Sequence, residues 1–368
     1  MRKHILAFLV AVLVLGGFAG TAPTAAAQNV SVDFQFFYSN LAPYGQWVNR
    51  ISFGWVWVPN GVPVNWRPYT HGHWIYTDDY GWYWVSDWPW GWVTFHYGRW
   101  AYDDDYGWVW VPDTVWGPAW VDWRYGDGWI GWAPLPPVAR WQPGIGFSIT
   151  IVDIERHIHP TSWVFCQERN FGHRRMDRYV ELPARNVTIF QRTKSVTHYR
   201  IEHDRIVDSS LDVDKIEKGT GQRILRYRVR EVNSPAEHGL APRGNEIDVF
   251  RPRVIQAPPG ARPPQPRMPP PSGTPERIRQ QQEIQRRQLL QQQQAEQRQL
   301  QEHYRQQLRT PGPGRSQEQI RRQQQTEMKV LSEEHRREQQ LLQRRQQREH
   351  PPAQQPPRKQ EEKSSERR

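Results

Sequence analysis

HGHWIYTDDYGWYWVSD at residues 71–87 and YGRWAYDDDYGWVWVPD at residues 97–113 are one Trp-rich phrase written twice, and their reading decides the fold. A looser copy, YGQWVNRISFGWVWVPN, precedes them at residues 44–60, and a frayed one, RYGDGWIGWAP, follows at 124–134. The opening glycines Gly45, Gly72 and Gly98 fall about 26 residues apart, which marks a repeated supersecondary unit. Each unit holds two short runs of aromatic and β-branched residues, the composition of a pleated, half-buried surface. In the second copy these are residues 73–76 and 82–85, separated by Thr77-Asp78-Asp79-Tyr80-Gly81. Asp bonds its own backbone in turns and Gly takes the positive φ that closes a short loop, so each unit reads as a β-hairpin. The third copy repeats the device with Asp103-Asp104-Asp105-Tyr106-Gly107.

Side chains on a strand alternate faces, so Trp74 and Tyr76 share one face, as do Trp82 and Trp84, and Trp108 and Trp110. Such rings can pair across strands. The opposite face carries Ile75, Tyr83 and Val85, which is apolar too. A single open sheet would leave one of these faces wet. Either a second layer covers it, or it is a binding surface. In the second case the ligand contacts are Trp74, Tyr76, Trp82, Trp84, Trp100, Trp108 and Trp110, because flat rings with a polar edge suit a glycan. In the first case the same rings staple hairpins together where disulfides are lacking.

The chain opens with the grammar of an export signal. Arg2 and Lys3 precede an apolar run at residues 5–15, and Ala25-Ala26-Ala27 supplies a small-residue cleavage site. The apolar run is shorter than the ~20 residues that span a bilayer, and no later stretch reaches that length. A soluble, exported product is expected, periplasmic or extracellular. Its one cysteine, Cys166, allows no internal disulfide. All 20 tryptophans lie between Trp47 and Trp163, whereas the net charge of +11 sits at the other end. From Arg251 onward there are 25 Lys and Arg against 13 Asp and Glu, which leaves the preceding residues near neutral.

The motifs YGQW…GWVWVP, HGHW…YGWYWVSD, WGWVTFHYGRW…YGWVWVP and WGPAWVDWRYGDGWIGWAPLPP resemble an uncharacterised Trp-rich family of exported bacterial proteins, catalogued as a domain of unknown function. The resemblance covers residues 38–137. It implies export in Gram-negative bacteria and no established activity, and it transfers no catalytic residue.

The domain plan follows from these textures: a signal at 1–27, the hairpin-repeat domain at 38–140, and a small β-rich module at 144–256. A proline-rich link at 257–275, a Gln/Arg/Glu-rich helical or coiled-coil-like tail at 276–350 and a disordered end at 351–368 complete it. In all, the fold class is mainly β, with isolated helices in the tail. Residues 32–38, 147–154, 163–166, 186–190, 196–201 and 224–232 read as strands, with a tight hairpin around His203-Asp204. Residues 212–218 read as a short helix starting at an Asp and ending at Gly219. In the tail, 275–309 and 316–350 are helix-forming segments broken by Pro311-Gly312-Pro313-Gly314. Their apolar residues keep no heptad seam, so little tertiary contact is expected, with self-association through the tail the alternative.

Cys166 with His157, His159 and His173 offers either a thiolate nucleophile or a thin zinc site, but no hydrolase motif surrounds it. A buried cysteine beside surface histidines explains the same residues. Asp78-Asp79 and Asp103-Asp104-Asp105 supply oxygen ligands for calcium, yet lack the spacing of an EF-hand and sit where turns favour Asp anyway. No metal and no cofactor is therefore assigned. The basic tail suits polyanions, and outside the cytoplasm nucleic acid is not the expected partner. The reading that remains is a non-enzymatic envelope protein, binding or structural. Its aromatic surface would engage peptidoglycan, another envelope polysaccharide or an envelope protein, and its tail would be a spacer or assembly arm. The alternative is a hydrolase of envelope polymers, for which no acid pair or nucleophile assembles at recognisable spacing.

Overall fold

Each of the Trp-rich units is an antiparallel hairpin in the computed structural model, which describes residues 31–255, 274–312 and 314–349. The proposed signal, the end expected to be disordered and nearly all of the proline-rich link lie outside those residues. In chain order, β1 (Ser31–Asp33) and α1 (Phe34–Leu41) lead into the hairpin of β2 (Gly45–Arg50) and β3 (Gly54–Pro59). The next hairpin is β4 (Gly72–Thr77) with β5 (Gly81–Ser86), followed by the short helix α2 (Gly91–Thr94). Then come β6 (Arg99–Asp103) with β7 (Gly107–Val111), and β8 (Val121–Gly126) with β9 (Trp129–Pro134).

One register is common to them all. A tryptophan on the first strand faces a tryptophan on the second: Trp47 with Trp57, Trp74 with Trp84, Trp100 with Trp110, and Trp123 with Trp132. The opening glycines that mark the repeat sit beneath these rings. A Cβ at Gly72 would lie 2.2 Å from the Val85 carbonyl oxygen and 2.8 Å from the Trp84 ring; at Gly98 it would lie 2.3 Å from the Val111 oxygen and 2.8 Å from Trp110 Nε1. No side chain fits between the rung and the ring, so the repeat needs glycine there.

After the hairpins come β10 (Trp141–Gln142), β11 (Gly146–Phe147), α3 (Ile151–Glu155), β12 (Val164–Gln167) and α4 (Asn186–Phe190). They are followed by β13 (Lys194–Ser195), β14 (Tyr199–Glu202), β15 (Arg205–Asp208), α5 (Val213–Thr220), β16 (Arg226–Val232), β17 (Glu246–Phe250) and β18 (Arg253–Ile255). Of these, β12 to β17 extend the hairpin sheets, while β10 pairs with β11 and β18 with β1. One sheet runs β14-β15-β5-β4-β16-β17, a second β12-β9-β8-β13, and a third, β2-β3-β7-β6, joins the first and third hairpins. A single core cluster runs from Phe37 to Phe250. The second aromatic face is covered: Ile75, Tyr83 and Val85 are buried, and Tyr83 stacks on His96 at 4.6 Å.

Three expected strands are helical instead. At residues 32–38 the alternation gives way after Asp33, whose carboxylate accepts the Phe36 N–H at 3.1 Å and starts α1. Phe37, Tyr38 and Leu41 then fall on its buried side. Thr150 caps α3 in the same way through the Asp153 N–H, which ends the expected strand at 147–154 soon after β11. Residues 186–190 form α4, a single turn that buries Asn186 and Ile189. The His203-Asp204 hairpin is as expected, with both residues at positive φ (48° and 61°) as a two-residue turn of the I′ type requires. Asp212 caps α5 at the Lys215 N–H, but the helix ends at Gly221 (φ 67°) rather than Gly219.

The tail helices α6 (Pro275–Arg309) and α7 (Gln317–Glu349) occupy the expected segments. The expectation of little tertiary contact is corrected, because polar side chains do what a heptad seam would have done. Gln293 donates to the His335 carbonyl at 3.0 Å and to Glu338 at 2.8 Å, and His335 meets Glu296 at 2.9 Å. At the loop end Leu300, Tyr304, Ile320 and Leu331 close around Ala184 of the body.

Replacing Gly98 by Ala therefore forces a clash at φ +64°, and we expect a loss of more than ~2 kcal/mol in urea unfolding. Gly128→Ala, at φ +75° with no atom within 4 Å of the new Cβ, should cost only about 1 kcal/mol. Equal losses at the two positions would mean that ring packing is not what demands glycine.

Candidate functional site

Five of the seven rings singled out from the sequence are core. Trp74, Trp82, Trp84, Trp100 and Trp110 are at most 2 % exposed. Trp74 packs on Trp84, Trp123 and Trp132 at centroid distances of 5.1, 4.4 and 5.9 Å. Trp82 Nε1 donates to the Leu211 carbonyl at 2.8 Å, and Trp110 Nε1 to that of Tyr97 at 2.7 Å. Tyr76 and Trp108 are partly exposed. Tyr76 stands edge-on to Trp82 beneath the Arg226 guanidinium, away from any large cavity.

Trp100 and Trp108 do meet in one place, a cleft of about 440 Å³. Its floor is Trp66 and Trp100, buried rings 5.2 Å apart. Its aromatic wall is Tyr102 and Trp108, cross-strand partners on β6 and β7 with rings 5.7 Å apart at 86°. Tyr102 is 42 % exposed as a residue, while burial of its hydroxyl, with the Glu334 charge adding, pushes its pKa up to about 12. The cleft is also lined by α7, which contributes Glu334, Arg337 and Glu338, one helical face spaced three and four residues apart. His157 and His159 complete the lining.

The polar groups of the cleft are held by burial and by one another. Arg67 donates from Nη1 to the Trp163 carbonyl at 2.6 Å. Burial lowers its pKa to about 10, against the opposing fields of Glu334, Glu296 and Glu338, so it stays charged at neutral pH. Burial pushes the Glu338 carboxyl up to about 7; Glu296 and Glu334 add to this, while the Gln293 hydrogen bond and Arg67 oppose it. His159 is held below its usual value by burial and by Arg337, and its ring meets the Thr161 hydroxyl at 2.8 Å. A wall of charged donors and acceptors facing exposed rings is an arrangement that binds a polar ligand with flat apolar faces.

The other constellations are placed elsewhere. Cys166 is fully buried against β9, and burial pushes its thiol far above the usual range, opposite to what a nucleophile needs. His173 stacks on Tyr179 rather than approaching the cleft. Asp103 accepts the N–H groups of Asp105 and Tyr106 within its turn, and Arg50 binds Asp103 and Asp105 at 2.7 and 3.0 Å. Asp79 pairs with Arg205 and accepts the Val229 N–H. Among the described residues no group of three or more His, Cys, Asp or Glu is placed to hold a metal ion.

Sequence reasoning passed over Tyr102, although it stands two residues from Trp100 as Tyr76 does from Trp74. That period was the available signal. Glu334, Arg337 and Glu338 gave none, because nothing local tells a tail helix where it docks.

A family model described as a family of unknown function (DUF6600) matches residues 38–139, the span of the hairpins. No curated protein and no solved structure matches the chain. No helix among the described residues is long and apolar enough to cross a membrane.

Glu338 supplies a pH signature. Unfolded it titrates near 4.5 and folded near 7, so between those values the folded state holds the extra proton and loses stability as pH rises. Glu338→Gln, which cannot ionise, should melt with the wild type at pH 5 and above it at pH 8. The gain should be about 1–2 kcal/mol after solvent screening. A difference that does not change with pH would remove Glu338 from the site's electrostatics.

Proposed function

We propose that this chain is an exported envelope protein that binds a glycan in the cleft between the third hairpin and α7, without chemistry. The observation that carries the reading is one cleft lined both by the Tyr102–Trp108 ring pair and by Glu334, Arg337 and Glu338. Sugar rings offer C–H faces to aromatic rings and hydroxyls to charged side chains, and both halves are present here. Export rests on the first 27 residues of the sequence, and the choice of peptidoglycan or another envelope polysaccharide follows from it. In this reading the ordered tail is one wall of the site, in addition to any role as assembly arm toward an envelope protein.

A second reading, hydrolysis of an envelope polymer, has one observation in its favour. Glu338, held near 7, lies one turn beyond Glu334 on the same cleft, and a raised carboxyl beside a second one is what a general acid needs. Release of new reducing ends by the wild type but not by Glu338→Gln would replace binding with catalysis.

Titrating the chain with soluble peptidoglycan fragments should shift tryptophan fluorescence, and Trp108→Ala should weaken binding at least tenfold while the melting temperature stays within a few degrees. Unaltered affinity in Trp108→Ala, or no response to any envelope glycan, would sink the proposal.

A further inference from the structure

The cleft does not stop at its aromatic wall. Phe53, Pro137 and Val138 line it, and the same three residues line a second compartment of about 540 Å³ on their other side. Its charged lining differs in sign. Arg99 and Arg140 contribute to it against a single carboxylate, Asp113, and that carboxylate already accepts the Thr114 N–H at 2.6 Å.

Arg99 is built into this place. It is 3 % exposed, and its guanidinium carbon lies 3.8 Å from the centre of the Trp120 ring. Nε donates to the Ala139 carbonyl at 3.0 Å and Nη1 to the Gly98 carbonyl at 2.8 Å. Nη2 is buried with no hydrogen-bond partner in the protein. A buried guanidinium nitrogen without an acceptor costs far more than an exposed one. The other arginine nitrogen in that condition among the described residues, Nε of Arg185, has the Glu327 carboxylate 3.9 Å away. No carboxylate pairs with Arg99 among the ion pairs of the described residues. Two nitrogens fixed on carbonyls, a ring beneath and one nitrogen left over make a preorganised half of an anion site. Arg140 is exposed and lines the same compartment, so it can supply the second cation.

We propose that the ligand of the cleft is an acidic saccharide, whose ring lies on the Tyr102–Trp108 wall and whose carboxylate enters the second compartment between Arg99 and Arg140. This inference rests on the glycan reading above and narrows it to a substrate class. Because Nη2 is buried, the surface of the second compartment must adjust to admit the carboxylate to it.

The test compares a galacturonic acid tetramer with the same tetramer methyl-esterified, which keeps the skeleton and removes the charge. The acid should bind at least tenfold more tightly than the ester, and the advantage should shrink in high salt. Arg140→Glu, a surface change that leaves the core intact, should abolish the preference. Arg99→Lys, checked for its melting temperature, should also lower it. Equal binding of acid and ester overturns the anion site while leaving the glycan cleft standing, as does an undiminished preference in Arg140→Glu. Binding of neither tetramer overturns the acidic-saccharide site, and the glycan cleft is then decided by the peptidoglycan titration alone.

Discussion

The tryptophan set directly across from a tryptophan is the contact that the rest of this chain accommodates. Isolated two-stranded hairpins with strands of five or six residues are marginal in water, and the sole cysteine offers no cross-link. Trp74 meets Trp84 edge-on at 5.1 Å, and such an edge-to-face pair adds about 0.5–1.5 kcal/mol beyond the area it buries. Here the pairs also meet one another: Trp74 of the second hairpin packs on Trp123 and Trp132 of the fourth, and Trp47 of the first packs on Trp110 of the third. The hairpins are thus joined through the same rings that close them. The cost falls on the indole nitrogens. Those of Trp47, Trp66, Trp74, Trp84, Trp88, Trp100 and Trp116 are buried without an acceptor. Trp66 stands edge-on to three neighbouring indoles, so ring faces replace some of the missing acceptors.

That use of the rings decides where a ligand can go. A covered face has little to offer solvent, and the second hairpin β4–β5 is in that position, with partners on both sheet edges and Tyr76 its one partly exposed ring. The third hairpin, whose sheet stops at β6, carries the exposed ring Tyr102 beside the partly exposed Trp108. The site is therefore a seam rather than a face. It forms where that edge meets the chain around Pro136 and His159 and the docked tail helix.

How much of this the sequence disclosed depends on the range of the interaction. Hairpin strands and turns are local, written in a period of two and in Asp and Gly at fixed offsets, and they fold where that pattern places them. Residues 34–41 were opaque because a cap at Asp33 outweighs a weak alternation in VDFQFFY. The joining of β15 and β16 in parallel to the second hairpin was opaque for another reason: no local signal announces which strand edge a distant segment will take. The cleft inherits that limit. Its rings were on the candidate roll through Trp100 and Trp108, but its charged wall comes from residues more than 200 positions later.

The docking of that wall shows which forces hold and which only align. Arg344 reaches the Asp104 carbonyl at 2.7 Å and the Asp105 carboxylate at 2.9 Å, and Arg348 lies over the Tyr106 ring at 4.2 Å. The Arg344–Asp105 pair is more than 40 % exposed on both sides, and such pairs contribute about 0–1 kcal/mol. Leu341, 3 % exposed, sits so close to Gly107 that a Cβ there would lie 2.9 Å from it. Burying a leucine contributes about 1.5–3 kcal/mol, and the Leu300–Tyr304–Ile320 cluster around Ala184 adds to it at the other end of the helix pair. Apolar contacts at two ends thus hold α7 in place, and the arginines on the acidic turn set its register. The glycine that closes the third hairpin's turn therefore has a second use: its bare backbone is the seat on which one wall of the cleft rests.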